Sequence, residues 1–168
     1  MKSLNLKVIP SPLSEVNFLR ALDLLNKTNQ FNLNGQKFTE TELEKFKASP
    51  THSVFVYTLE DDFGTYGNIS VAIIESREND WYLHSWVMSC RAMGRKVEMA
   101  IFQHLLNQVC PSSRPLFCGF NSTGKNLYVK EFLEQIGFAS INPEGNLQLS
   151  PEVISSFVGD KTVALIQP

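Results

Sequence analysis

Apolar and polar positions alternate over residues 4–9, which predicts an opening strand that Pro10 stops. Ser11 and Pro12 then offer a cap and a first helical position. The helix expected next carries Val16, Phe18, Leu19, Leu22 and Leu25 on one side and ends within residues 26–29. Residues 29–35 are polar and read as a loop. A second helix starts at Thr39, where the hydroxyl caps the backbone, Glu42 reaches back, and Phe38 staples onto Leu43. It ends before Pro50. Residues 53–59, 66–75 and 81–89 are rich in β-branched and aromatic side chains. Polar turns at 60–64 and 77–80 join them into an antiparallel meander.

The period then changes. Val97, Ala100, Ile101, Leu105 and Val109 stand at helical spacing, Pro111 ends that run, and residues 115–120 suit a buried strand. Strand, helix and strand in this order predict a right-handed crossover and a parallel pair. A further helix carries Val129, Phe132, Leu133 and Ile136, with Gly137 at its C-terminal cap. Residues 138–141 and 162–166 read as strands, and Ser150-Pro151-Glu152 starts a short helix. The sequence has no internal repeat and no long linker. The expectation is one α/β (α+β) domain over residues 1–168, a mostly antiparallel sheet with one parallel step and flanking helices.

Composition narrows the partners. The 168 residues, 43% of them hydrophobic, suffice for one sizeable core. The net charge is −2, and the densest basic cluster is Arg91, Arg95 and Lys96. A cluster this small suits a small anion and argues against a nucleic-acid partner. No apolar run is long enough for a bilayer, and the N-terminus lacks a leader's apolar core, so no membrane association is expected. Cys90, Cys110 and Cys118 are odd in number and lack ligand spacing, which points to reduced thiols in a cytoplasm. His52, His84 and His104 are far apart in the chain, so no metal is expected.

Residues 89–98 carry the sharpest chemical signal: Ser89-Cys90-Arg91-Ala92-Met93-Gly94-Arg95-Lys96-Val97-Glu98. A strand runs through a glycine-containing turn directly into a helix, whose unsatisfied N–H groups form an anion site. Gly94 lets backbone approach a ligand, and Arg91, Arg95 and Lys96 add charge for a pyrophosphate. This stretch resembles motif A of the GNAT acyltransferase superfamily, with Arg91 and Gly94 in register. Asn126, Phe132 and Ile136-Gly137-Phe138 are similar to the superfamily's last helix. Longer strings resemble signature segments of the FkbH-like proteins: Thr28-Asn29-Gln30-Phe31-Asn32-Leu33, Phe63-Gly64-Thr65-Tyr66-Gly67, residues 89–95, and Lys125-Asn126. The resemblance runs from about residue 4 to Phe138.

The resemblance implies a GNAT fold and a phosphopantetheine thioester, as acyl-CoA or on an acyl carrier protein, bound by Met88, Cys90, Arg91, Met93, Gly94, Arg95, Lys96, Val97 and Asn126. FkbH-like proteins join a HAD-type phosphatase half to such a domain and load a glyceryl unit onto an acyl carrier protein in polyketide-type biosynthesis. That half is not in this sequence, which leaves two alternatives: an excised domain, or a short protein that works beside a separate phosphatase partner. Three positions depart from the pattern: Lys96 replaces a small residue, Leu133 stands where a tyrosine acid is common, and His84 stands where Asp is common.

Candidate catalytic groups are His84 and Cys90. His84, grouped by period two with Tyr82, Trp86 and Met88, is either a base or a hydrogen-bonded core histidine. Cys90 is either a transient acyl acceptor or a buried space-filler. Ser122, Lys125 and Asn126 either touch the pantetheine arm or, for Asn126, cap a helix. Residues 119–125 fit G-x-x-x-x-G-K, but Asn126 replaces the Ser or Thr that binds magnesium, which argues against nucleotide hydrolysis. Two rival functions stay open: a carrier-docking module without chemistry, and a generic amine N-acetyltransferase.

Overall fold

The computed structural model describes residues 5–109, 113–157, 159 and 161–166. Leu4, Cys110 and Pro111 lie outside the described residues. Strand β1 (Lys7–Pro12) runs straight through Pro10 and pairs with β3 (His52–Asp61) as far as Pro12↔Phe55. The carbonyls of Leu6 and Val8 accept from Ala164 and Ile166, so even-numbered residues of β1 turn their backbone toward β9 (Ala164–Leu165). Strand β9 pairs only with Lys7 and Val8, in parallel. Pro10 and Pro12 therefore present their missing donors to an edge that no strand among the described residues pairs, where proline costs no ladder bond. Neither stops the strand, and Ser11 does not cap a helix.

Helix α1 (Phe18–Lys27) starts later, behind Asn17, whose amide ties the turn by accepting from Ser14 N–H and donating to the Pro12 carbonyl. Its buried stripe is Phe18, Ala21, Leu24 and Leu25, while Val16 and Leu19 are exposed. Helix α2 (Glu40–Ala48) has the expected capping box: Glu42 N–H donates to Thr39 Oγ1 and Thr39 N–H to Glu42 Oε1. Phe38 and Leu43 are buried together, as a staple requires.

Strands β3, β4 (Gly64–Ser76) and β5 (Trp81–Met88) form the antiparallel meander. Helix α3 (Val97–Val109) crosses to β6 (Leu116–Gly119), which pairs parallel with β5. Helix α4 (Leu127–Gln135), β7 (Ala139–Ser140), β8 (Asn146–Leu149) and α5 (Pro151–Ser156) follow. The described sheet runs β7-β8-β6-β5-β4-β3-β1-β9. It holds two parallel steps, β5 with β6 and β1 with β9, where one was expected.

Helices α1 and α2 cover one face with Val54, Val56, Val71, Ile73 and Val87. Helices α3 and α4 cover the other with Trp86, Met88, Ala72 and Ile74. Trp86 anchors that second core. Its ring stacks on Phe102 at 6.1 Å and meets Phe132 edge-on, and its indole N–H donates to Ser70 Oγ at 3.1 Å. Trp86→Ala should cost about 3–5 kcal/mol in a denaturant titration, the range for large aromatic truncations.

His104 lies buried under Phe55, with Nδ1 2.9 Å from the Tyr57 hydroxyl, and burial lowers its pKa to about 4. Above pH about 6.5 neither the folded nor the unfolded chain protonates it. Between about 6.5 and 4 only the unfolded chain takes the proton, so stability must fall as pH falls through that window. His104→Gln should flatten the slope in pH-dependent urea melts.

Candidate active site

Strands β5 and β6 part company early. They pair only at Trp81↔Leu116, Tyr82↔Phe117 and Leu83↔Cys118. Past this fork the edge of β5 needs another partner, since buried N–H and C=O groups do not stay unpaired. At the fork β5 also changes register: Ile73 faces Ser85 and Ile74 faces Leu83, so His84 is the extra residue of a bulge. The bulge breaks the period-two grouping. Trp86 and Met88 go to the α3–α4 core, whereas His84 turns to the other face, against Phe46 at 5.6 Å, Tyr82 at 4.7 Å and His52 at 5.0 Å between ring centroids.

His84 is held by a residue that the sequence did not single out. Its Nε2 lies 2.7 Å from Glu75 Oε1, and Arg77 Nε donates to the same oxygen at 3.1 Å. Burial pushes the Glu75 carboxyl up, but the bonds from His84 and Arg77 hold it below the ordinary range. Burial lowers the His84 pKa, and Glu75 only partly restores it. An ionised Glu75 takes the Nε2 proton in its hydrogen bond, so the lone pair of neutral His84 is on Nδ1. His52, opposite Glu75 in the β3–β4 register, sits 3.7 Å from Oε1 and has its Nδ1 2.7 Å from Ser49 Oγ. Beside it a cavity of about 360 Å³ is lined by Gln36, Glu42, Lys45, Phe46, Ser49 and His52.

Chain distance misled about these histidines: His52 and His84 come together, and only His104 lies apart on the opposite face. Two imidazoles and a carboxylate, with ligand atoms within 4.8 Å of one another, are a zinc-type donor set. Glu75 Oε1 is nevertheless already shared by His84 and the Arg77 guanidinium, so a dication there would have to displace a hydrogen bond and would sit against the Arg77 charge. The trio is a hydrogen-bonded cluster oriented around His84.

The edge of β5 beyond the fork is taken by the chain itself. Strand β2 (Phe31–Asn32), within the stretch expected to be a loop, pairs antiparallel as Phe31↔Met88 and Asn32↔Val87. Leu33 N–H donates to the Trp86 carbonyl at 3.3 Å, Asn121 N–H donates to the Leu33 carbonyl at 3.1 Å, and Asn34 Nδ2 donates to the His84 carbonyl at 3.2 Å. Phe31, Asn32 and Leu33 are all buried, and Phe31 meets Trp86 edge-on at 4.8 Å. Asn32 Oδ1 accepts from Asn34 and Gly35 N–H, which turns the chain away. Exposing the Phe31 and Leu33 side chains again would cost about 1.5–3 kcal/mol each.

Asn126 locks this insert. Its Nδ2 donates to the Asn32 carbonyl at 2.7 Å and to the Asn121 carbonyl at 3.0 Å, and its Oδ1 accepts from Thr123 N–H. It stands at the α4 N-cap position without a capping side-chain bond, fully buried, with its polar atoms spent inside the chain. Met88 is likewise buried, with backbone partners on both sides, Phe31 and Ser70.

The turn into α3 is equally self-contained. Gly94 and Lys96 both have left-handed backbone, φ +76° and +64°, so Lys96 occupies a conformation that favours glycine. Glu98, 4% exposed, bends its carboxylate back to accept from Gly94 N–H at 3.2 Å. Burial pushes this carboxyl up, opposed by the N–H groups of Gly94, Glu98 and Lys96 and by the Tyr128 hydroxyl. Ala92 and Val97 are buried, and Met93 packs on the core. Arg91 and Arg95 lean the other way: Arg91 donates to the Tyr66 carbonyl, and Arg95 lies over the Tyr66 ring at 5.1 Å.

Cys90 is exposed, so it does not fill space, and it lines a cavity of about 350 Å³ with Arg20, Lys27, Asn29, Gln30 and Ser89. Cys118 is the buried thiol, pushed up to about 12 by burial. The structure does not bring Cys90 and His84 together, since their partners lie at different ends of β5. A phosphopantetheine arm extended along β5 does not fit these residues: the edge belongs to Phe31, Asn32 and Leu33, and the N–H nest belongs to Glu98. Asn126→Ala should cost about 1–3 kcal/mol for each buried partner left unsatisfied, read as a lowered urea midpoint.

No protein-family model matches the chain, and no curated protein matches it. Solved structures do. The ribosomal-protein-S18-alanine N-acetyltransferase of Escherichia coli is 12% identical, with 92% of this chain and 97% of that one covered at a TM-score of 0.65. Mutant forms of the spermidine/spermine N-acetyltransferase SpeG of Vibrio cholerae are 13% identical, covering 90% and 96% at 0.60. A Desulfovibrio desulfuricans protein assigned to the GNAT acetyltransferases is 14% identical, covering 87% and 99% at 0.61. The chain has the GNAT fold.

Proposed function

We propose that this chain is a GNAT-type acyltransferase that uses His84 as its base. The observation that carries the reading is the bulge at the sheet fork, which presents His84 with Glu75 behind it at 2.7 Å. A half-buried base oriented by a carboxylate, one ring away from His52 and the cavity that His52 lines, is the arrangement needed to take a proton from an attacking amine, hydroxyl or thiol. His84 Nδ1 receives that proton, Glu75 balances the imidazolium that forms, and as the thioester C–S bond breaks the proton passes on to the leaving thiolate. The acyl group comes from a thioester. The resemblance to FkbH-like proteins favours one carried by an acyl carrier protein, whose arm reaches His84 from the rim and not along β5, for loading of a glyceryl-type unit beside a separate HAD-type phosphatase, in the cytoplasm. Cys90, exposed in a separate cavity, would be a transient acyl acceptor only in a step that does not use His84.

One observation favours a second reading. The filled edge and nest suit a module that docks an acyl carrier protein without chemistry. An acetyl-CoA-dependent amine acetyltransferase, the activity named for two of the structural neighbours, remains the third, and the filled edge weighs against it.

Incubation with acyl-loaded carrier protein and a panel of amine, hydroxyl and thiol acceptors should show transfer. His84→Ala should lower kcat by about 10²–10⁴-fold, the usual share of a general base, with little change in KM. Because Glu75 raises the His84 pKa, Glu75→Gln should both slow transfer and move the acid limb of the pH–rate profile to lower pH. Carrier binding without transfer, indifferent to His84→Ala, would establish the docking module instead.

A further inference from the structure

We infer that this chain has closed the fork of its sheet to CoA with its own residues, at both places where an extended, anionic ligand would be held. The inference stands whether or not the acyltransfer reading does. An extended amide-bearing ligand entering a sheet binds by adding to a free strand edge. Among the described strands, the edge of β5 past Leu83 is the one the fork exposes, and it is spent on Phe31, Asn32 and Leu33. The far side of that insert is spent as well, since the Leu33 carbonyl accepts from Asn121 and the Asn32 carbonyl from Asn126. The insert is a strand of the sheet, bonded on both sides.

The anion position is closed by charge. The turn before α3 aims the Gly94 N–H at the Glu98 carboxylate, 3.2 Å away, and the N–H groups of Lys96 and Glu98 also favour the charge there. A pyrophosphate arriving there would meet a buried carboxylate in place of free donors. The two arginines that would assist are turned to Tyr66, where Arg95 Nη2 also donates to the hydroxyl at 3.5 Å. Glu98 thus acts as the turn's internal anion, which explains how so small a side-chain set satisfies a turn containing a left-handed lysine.

CoA is titrated into the full chain by calorimetry, with amide signals followed by NMR. The expected result is no saturable heat up to about 1 mM, the weak end of ordinary binding, and unmoved Leu33, Met88 and Asn121 amides. Weak shifts confined to Arg91 and Arg95 would also support closure, since they place any CoA outside the fork. Micromolar binding that shifts Leu33 and Asn121 would overturn it. Glu98→Gln, checked for fold by circular dichroism, should leave CoA binding undetectable, because β2 still fills the edge. Micromolar CoA binding by that variant would show that only the nest was closed and overturn the claim for the edge.

Discussion

The fork between β5 and β6 sets the terms for everything around it. Two parallel strands that separate after three residue pairs leave a row of backbone donors and acceptors inside the molecule, and these must be satisfied. Here the answer is local: Phe31, Asn32 and Leu33 take the row, Asn126 clamps them from the start of α4, and Trp86 receives the Phe31 ring. The bulge at His84 lies at the same junction, and Asn34 holds its carbonyl. One constraint therefore joins the core, the insert and the candidate base.

Electrostatics divides the region into a closed part and an open part. Glu98 neutralises the N–H groups at the start of α3 within a buried setting, while Arg91 and Arg95 remain at the surface beside Tyr66. His84, His52 and Glu75 face the opposite side of the sheet, half-buried, with His52 lining a cavity. The second region is reached from outside without passing through the first.

Much of the architecture was legible because local chemistry and tertiary structure agree. The capping box at Thr39, the strong β-propensity of the meander, the cap at Ser150 and the strand–helix–strand crossover all stand as read. The misreadings have physical causes. Pro10 reads as a stop in the sequence because which edge of β1 lacks a partner depends on the distant β9. Strand β2 is too short and too rich in asparagine to look like a strand, and its pairing comes from the fork. Period two failed for His84 because a bulge is invisible without register. His52 and Glu75 were recoverable in principle, since tight pairing in the β3–β4 hairpin sets them opposite each other. Glu98 lies in α3 as the periodicity predicts, but nothing in the string says that its carboxylate turns back to Gly94.

The central claim is that the residues filling the fork are a permanent part of the sheet. Native-state amide hydrogen exchange at Leu33 and Asn121 tests it most directly, since these two N–H groups bond the insert to Trp86 on one side and the 120–126 loop on the other. The account predicts that both exchange only with the global unfolding free energy, like the amides of the β3–β4 ladder. Exchange of both through a local opening well below that energy would contradict it, and would make the insert a lid over a working cofactor track.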